Sequence, residues 1–276
     1  MARNDYLRQL GLIPSYLRLS LLRLGENKLQ LWGAFATSAF SFIFYAIFWN
    51  VMTLQVPILT GVGWVVWGVG ELTFLVGMTN LAWSFGAFFW MGIWEIHWYI
   101  TELGIEEYQI RPVNSILQIM AQNFWAGGII QMSVGIIMLG LSIATFGLVI
   151  TPIGIVLGLL ALLLGQAALY ILWATLASLA FWIGRNAGLI EISDAIEWNF
   201  ARMPIDVMPH LVQHFLTFIL PVIFISTVPT MMMLGQLPLE PTLLYLTVAG
   251  VLVFVWILIF NAVWQAGVKR YQPVGG

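Results

Sequence analysis

The chain has 276 residues, of which 61% are hydrophobic and 8% charged; a soluble domain is about a quarter charged, so an ordinary soluble enzyme is excluded and a polytopic membrane protein is left. The net charge of −2 excludes a basic nucleic-acid footprint, and the lack of cysteine excludes disulfides, thiolate catalysis and cysteine metal sites. A membrane-spanning helix takes roughly 20 apolar residues, which leaves room for about six with short connections and for no separate soluble domain.

Residues 1–28 are the most basic stretch, with Arg3, Arg8, Arg18, Arg23 and Lys28 against Asp5 and Glu26. Leucines and bases alternate in a helical manner from Tyr16 to Leu24, which predicts an amphipathic segment in the headgroup plane of an anionic leaflet. Arg3 and Arg8 precede only a short apolar stretch broken by Pro14, so no cleavable leader is expected. Hydropathy predicts a six-helix transmembrane domain over 29–267. Its spans are expected near 29–51, 71–94, 116–141, 152–183, 209–233 and 243–267. An uncharged connection, 52–63, leads into the second span. A charged loop, 94–114, follows that span, a polar segment, 184–208, separates the fourth from the fifth, and residues 268–276 form a tail.

Placing the N-terminus inside puts Arg111, Arg185, Arg202, Lys269 and Arg270 on the cytoplasmic side with the five N-terminal bases. No base is then left outside, and both termini are expected in the cytoplasm of a multi-pass inner or plasma membrane protein. With Glu71 at a helix start, where it complements the positive helix end, the expected spans hold no Asp, Glu, Lys or Arg. That argues against an ion-coupled carrier or voltage sensor.

The 94–114 loop holds four of the twelve acids, Glu95, Glu102, Glu106 and Glu107, and ends on Arg111 and the helix-stopping Pro112. Glu107 and Arg111 are four apart and can share a helix face. A charged element between two long spans is a place for a partner to take hold, so Glu102, Glu106, Glu107, Tyr108 and Arg111 are the candidate contacts. Thr73, Gly77, Asn80 and Ser84 share one face of the second span, either packing it against a neighbour or lining a pathway. Gly154, Gly158 and Gly165 predict close approach of another helix within the chain. His210 and His214 are four apart, but no Glu follows the first in zinc-protease fashion. Asp194 and Glu197 have capping-box spacing, which predicts a short solvated helix with Glu191, Asp194 and Glu197 on its wet side. The two lysines follow Asn27 and Val268, so no phosphate loop of the Gly-Lys type exists and any ATP hydrolysis must come from another subunit.

Several stretches together resemble one family. Gly63-Trp64 followed by Glu71 resembles its entry to the second helix, and IEEYQIRPVN at 105–114 its loop ending in Arg-Pro-x-Asn. Phe181-Trp182 resembles a Ser-Phe-Trp signature with Ala180 in the serine position. Phe200-Ala201-Arg202-Met203-Pro204 resembles Phe-Ala-Arg-Tyr-Pro. LTFILPVIFISTVP at 216–229 resembles its fifth helix, and GVKRYQPVGG at 267–276 its C-terminus. On these residues the chain resembles the permeases of ABC-2 type transporters, in the viologen-exporter-like branch. The resemblance implies an all-α, six-helix half-transporter without catalysis of its own. It implies pairing with a second permease chain, identical or sister, and with two ATP-binding subunits that carry the ATP and magnesium, so that this chain binds no cofactor. It also implies a coupling helix in the loop after helix two, and a turn between helices five and six that dips back from the outside. The rivals are a channel or secondary carrier, and a membrane anchor for an ATPase that does not transport. Aromatic and methionine-rich walls suit amphiphilic, lipid-like and cationic cargo alike.

Overall fold

The computed structural model describes residues 28–55, 59–60, 66–109 and 114–271. The basic segment 1–27, Gly63-Trp64, Arg111-Pro112 and the tail 272–276 lie outside them. Helix α1 (Lys28–Gln55) leads through a two-residue antiparallel pairing of β1 (Leu59–Thr60) with β2 (Val66–Trp67) into α2 (Val69–Trp90). Glu71 starts α2, and its carboxylate accepts from the Gly68 N–H at 3.1 Å. This is the helix-start role that its position predicts.

Helix α2 is the centre of the bundle, buried over most of its length. It lies along α5 (Gly127–Phe146), with α1 across both. Small residues permit the approach: a Cβ on Gly128 would come within 2.9 Å of the Phe88 nitrogen, and one on Gly135 within 2.9 Å of the Leu81 nitrogen. Thr151 caps α6 (Pro152–Ser178), accepting from the Gly154 N–H at 3.1 Å, and α10 (Leu239–Arg270) packs along α6. The outer faces of α1 and α10 remain exposed and apolar at Trp32, Phe40, Phe44, Leu244, Phe254 and Leu258. Such faces suit lipid contact. Hydroxyls in the spans are satisfied locally: Thr37, Thr53, Ser142, Thr175 and Ser178 each bond the carbonyl four residues back. In hydrocarbon no water would do this for them.

The all-α polytopic fold is as expected, but four of its segments differ. The predicted third span, 116–141, is two helices, α4 (Ser115–Gln122) and α5, broken at 123–126. The break separates a short amphipathic piece from the apolar length of α5, so the crossing is displaced toward Phe146. The predicted 94–114 loop is largely a continuation of α2. A 3-10 turn (Met91–Ile93), an α turn (Ile96–Trp98) and a π turn (Tyr99–Leu103) carry the helix on until Gly104, whose φ of 83° only glycine adopts readily. Helix α3 (Glu106–Gln109) follows.

The last two differences are the largest. The segment 184–208 is not a solvated connection. Helix α7 (Ala187–Phe200) does not start at Asp194; it runs through that residue, and Glu197 is buried. From Asn186, which bonds the Leu176 carbonyl at 2.6 Å, the chain climbs beside α2. Trp83 donates to Asp194 at 3.5 Å, Thr79 to the Ala201 carbonyl at 2.6 Å, and Trp67 to Asp206 at 2.9 Å. Residues 187–206 therefore travel from one end of α2 to the other. The predicted fifth span, 209–233, is instead a pair of helical pieces, His210–Ile219 and Val222–Met233, bent by 78°. Pro221 lies in the break, where it can supply no N–H and disfavours a helical Leu220. The first piece begins with α8 (His210–His214) and the second ends with α9 (Thr227–Met233).

Both ends of the bent pair lie at the same end of the bundle. Its start follows Asp206, held at Trp67, and its finish meets Thr151, whose N–H donates to the Met233 carbonyl at 3.4 Å. Its middle reaches down α6, where a Cβ on Gly165 would stand 2.6 Å from Phe224 and one on Gly158 would stand 2.9 Å from the Pro229 carbonyl. The pair thus enters and leaves at one end, while 187–206 run the length of the bundle. The dip inferred between helices five and six is this pair, not the turn at Gly235–Pro238. Among the described residues five helices are long and apolar enough to cross a membrane, residues 187–206 run along the bundle beside them as the fifth pass in chain order, and the start of α1 and the end of α10 share one end.

This geometry also withdraws one premise. Asp194, Glu197, Arg202 and Asp206 lie on the fifth pass, and Arg202 is fully buried rather than at a cytoplasmic surface. The passes are not free of ionisable groups, so the absence of charge no longer separates this chain from an ion-coupled carrier.

Candidate coupling site

The charged end of the bundle is built by Glu102 to Gln109 and by two residues remote in sequence. Gly104 turns the chain so that α3 lies across the end. Glu102 pairs with Arg185 at 3.6 Å, and the Arg185 guanidinium sits 4.2 Å from the centre of the Trp98 ring. Both partners are well exposed, so the ion pair is worth at most about 1 kcal/mol and positions the segment more than it stabilises it. Glu106 accepts from the Tyr271 hydroxyl, and the same hydroxyl accepts from the Ile105 N–H at 3.3 Å. The Tyr271 hydroxyl, aided by the backbone N–H of Glu106 and opposed by slight burial, holds the Glu106 carboxyl below the ordinary carboxylate range. It is therefore an anion at neutral pH, tied to the end of α10. Glu107 is exposed beside it.

Tyr108 faces inward. Its ring meets Tyr99 edge-on at 5.1 Å, its hydroxyl donates to Gln122 at 2.8 Å, and its carbonyl accepts from Ser115 at 3.1 Å. Asn114 caps α4, accepting from Ile116 N–H at 3.0 Å and Leu117 N–H at 3.2 Å. The segment is thus fastened to the α2 extension, α4, α6 and α10. Of the five sequence-predicted contacts, Glu102, Glu106, Glu107 and Tyr108 are brought together here; Arg111 lies outside the described residues. Sequence reading missed Arg185 and gave Tyr271 no role, since their partners stand about 80 and 165 residues away and no local spacing links them.

Thr73, Gly77, Asn80 and Ser84 are all buried. Thr73, Asn80 and Ser84 bond the carbonyl four residues back, at 2.7, 3.1 and 2.5 Å. Gly77 faces α5, where a Cβ would stand 3.0 Å from the Leu139 side chain and 3.3 Å from its nitrogen. Thr73 also borders a cavity of about 240 Å³ between α1, α2 and α5, with Asn50, Ser142 and Thr145. Gly77→Trp is accordingly expected to separate α2 from α5, at a cost of about 1–3 kcal/mol or more. Fluorescence-detected size exclusion should show less folded protein. Full assembly with only transport blocked would instead make Gly77 a pathway wall.

Deeper in the bundle Arg202 lies 3.3 Å over the Trp198 ring and 5.1 Å from the Tyr45 ring, and donates to the Trp198 carbonyl. Both Glu197 oxygens and both polar atoms of Gln166 lack a hydrogen-bond partner among the described residues. His97 is buried against the Trp94 carbonyl, 2.7 Å away, whereas His210 and His214 are exposed. Among the described residues no three His, Cys, Asp or Glu side chains converge as a metal-ligand set.

A family model described as "ABC-2 family transporter protein" matches residues 38–275. Neither the comparison with curated proteins nor that with solved structures gives a match.

Proposed function

Because the chain belongs to the ABC-2 transporter family, whose permeases generally pair with ATP-binding subunits, we propose that it is the permease subunit of an ATP-driven exporter. The chain itself is a membrane transport component and not a catalyst. In this reading two permease chains, identical or sister, carry two ATP-binding subunits, which hold ATP and magnesium. The charged end faces the cytoplasm, where the segment Glu102 to Arg111 receives the push of ATP-driven closure. The observation that carries the reading is the fastening of Glu102 and Glu106 to Arg185 and Tyr271. A segment tied to α6 and α10 passes a displacement to both, as a coupling element must. The Thr73, Gly77, Asn80 and Ser84 face is proposed as a pathway wall only at its Thr73 end, because the cavity opens there. The branch is proposed to be the viologen-exporter-like one on the strength of the motifs alone.

The native chain has no cysteine, so Glu107→Cys is a clean reporter. It is expected to react with an impermeant maleimide in inside-out vesicles, to stay unlabelled in intact cells, and to be protected when the ATP-binding subunit is added. Native mass spectrometry should find two permease chains with two ATP-binding subunits. Labelling from outside intact cells would overturn the orientation, and labelling unchanged by the subunit would overturn the docking site.

A further inference from the structure

At the charged end a cavity of about 500 Å³ opens between the α2 extension, the end of α6 and the end of α10. The helical turn Ala180–Ile183 ends at Gly184, whose φ of 71° swings the chain so that Arg185 reaches the rim. Arg270, the last residue of α10, supplies a second guanidinium from an independent element. Among the described residues no acid lines the cavity. Glu102 meets Arg185, leaving one guanidinium unneutralised, since Arg270 has no ion pair among the described residues. Between the arginines the wall is aromatic and well fixed: Phe181 packs edge-on to Trp264 at 5.5 Å and to Tyr271 at 6.0 Å. Beside the lining residues in sequence stand exposed apolar side chains that extend the rim, Leu103 and Ile183 each 62% exposed and Trp182 37% exposed.

A ligand for this place must carry negative charge at one end and hydrocarbon at the other. Two guanidinium forks match the oxygens of a phosphate, and exposed Trp and Ile beside Arg are what a membrane–water boundary selects. A free phosphate satisfies the arginines but gains nothing from the apolar rim. We infer that this cavity is a binding site for an anionic phospholipid, with Arg185 and Arg270 on its phosphate and the acyl chains along Trp182 and Ile183. The site does not rest on the export reading; it follows from the two arginines and the rim alone.

The test uses the assembled permease in detergent, with water-soluble dihexanoyl phosphatidylglycerol, dihexanoyl phosphatidylcholine and inorganic phosphate as probes, read by thermophoresis. Phosphatidylglycerol is expected to bind, and phosphatidylcholine to bind at least about tenfold more weakly. Arg185→Gln and Arg270→Gln should each lower phosphatidylglycerol affinity about tenfold or more, the scale of a lost hydrogen bond to a charged group. Both arginines are exposed, so each variant permease should stay folded and elute at the native permease's position. Thr101→Phe fills the cavity while keeping both charges and should also abolish binding. Equal binding of the two lipids, or unchanged binding in the double arginine variant, would overturn the site. So would inorganic phosphate binding as tightly as the lipid, which would make it a free-anion site. Loss of the ATP-binding subunit from Arg270→Gln with lipid binding intact would assign the cavity to a protein partner and overturn the lipid reading as well.

Discussion

Arg202→Met is expected to remove most of the folded permease from the membrane. The side chain is fully buried on the fifth pass, between Tyr45 of α1 and Trp198 of α7, with Thr79 of α2 bonded to the adjacent Ala201 carbonyl. Asp194 and Glu197 stand on α7, eight and five residues before Arg202 in the chain. Methionine preserves much of the volume but removes the only base between residues 187 and 206, on a stretch where Glu197 is buried with no hydrogen-bond partner among the described residues. Removing one member of a buried charge set costs about 3–5 kcal/mol, a large share of a total stability of about 5–15 kcal/mol. If the cost comes from the stranded acid, Glu197→Gln together with Arg202→Met should recover part of it, and a double-mutant cycle would show coupling beyond additivity. Fluorescence-detected size exclusion and thermal melting read both results. A wild-type yield of Arg202→Met would mean that the cluster does not organise the fifth pass.

This cluster is also where sequence and structure part most clearly. Five apolar spans and the helix-start role of Glu71 could be read from local pattern, because apolar run length and a carboxylate at N3 act over a few residues. The identity of the fifth pass could not. Residues 187–206 carry Asp194, Glu197, Arg202 and Asp206, so hydropathy reads them as wet. Their partners Trp83, Thr79, Tyr45 and Trp67 are more than 100 residues away and leave no mark on the local pattern. The bent pair after it is apolar enough to look like a span, and only Pro221 hints that it turns back. Gly154, Gly158 and Gly165 correctly signalled a close approach within the chain, though not that α9 and Phe224 would make it. In the coupling segment the acids were visible, while the residues that fasten them came from α6's end and α10's end.

With charged residues now placed on the fifth pass, the distinction from a secondary carrier rests on family membership and on the charged end. The non-transporting anchor differs from the permease in one respect: an anchor needs only to hold an ATP-binding subunit, whereas a permease must also feel its cycle. Tyr271→Phe is informative here because it removes the hydroxyl shared by Glu106 and Ile105 while leaving the ring against Phe181.

The central claim is that the segment from Glu102 to Arg111 is the contact through which ATP hydrolysis is felt. Reversing its charge tests this with little risk to the fold, since Glu107 is exposed and Glu106 lies at the bundle's end. Unpaired charges at an interface cost roughly 2–5 kcal/mol. Glu106→Lys with Glu107→Lys, and separately Arg111→Glu, should therefore leave the permease folded in the membrane. Exposed substitutions that touch no partner stay within about 0.5 kcal/mol. The decisive measurement is the affinity of the ATP-binding subunit for each variant in proteoliposomes, with the hydrolysis rate taken on the same samples. The account predicts affinity lowered by more than about tenfold, or hydrolysis that no longer responds to the permease. Wild-type affinity together with wild-type hydrolysis in both variants would contradict it.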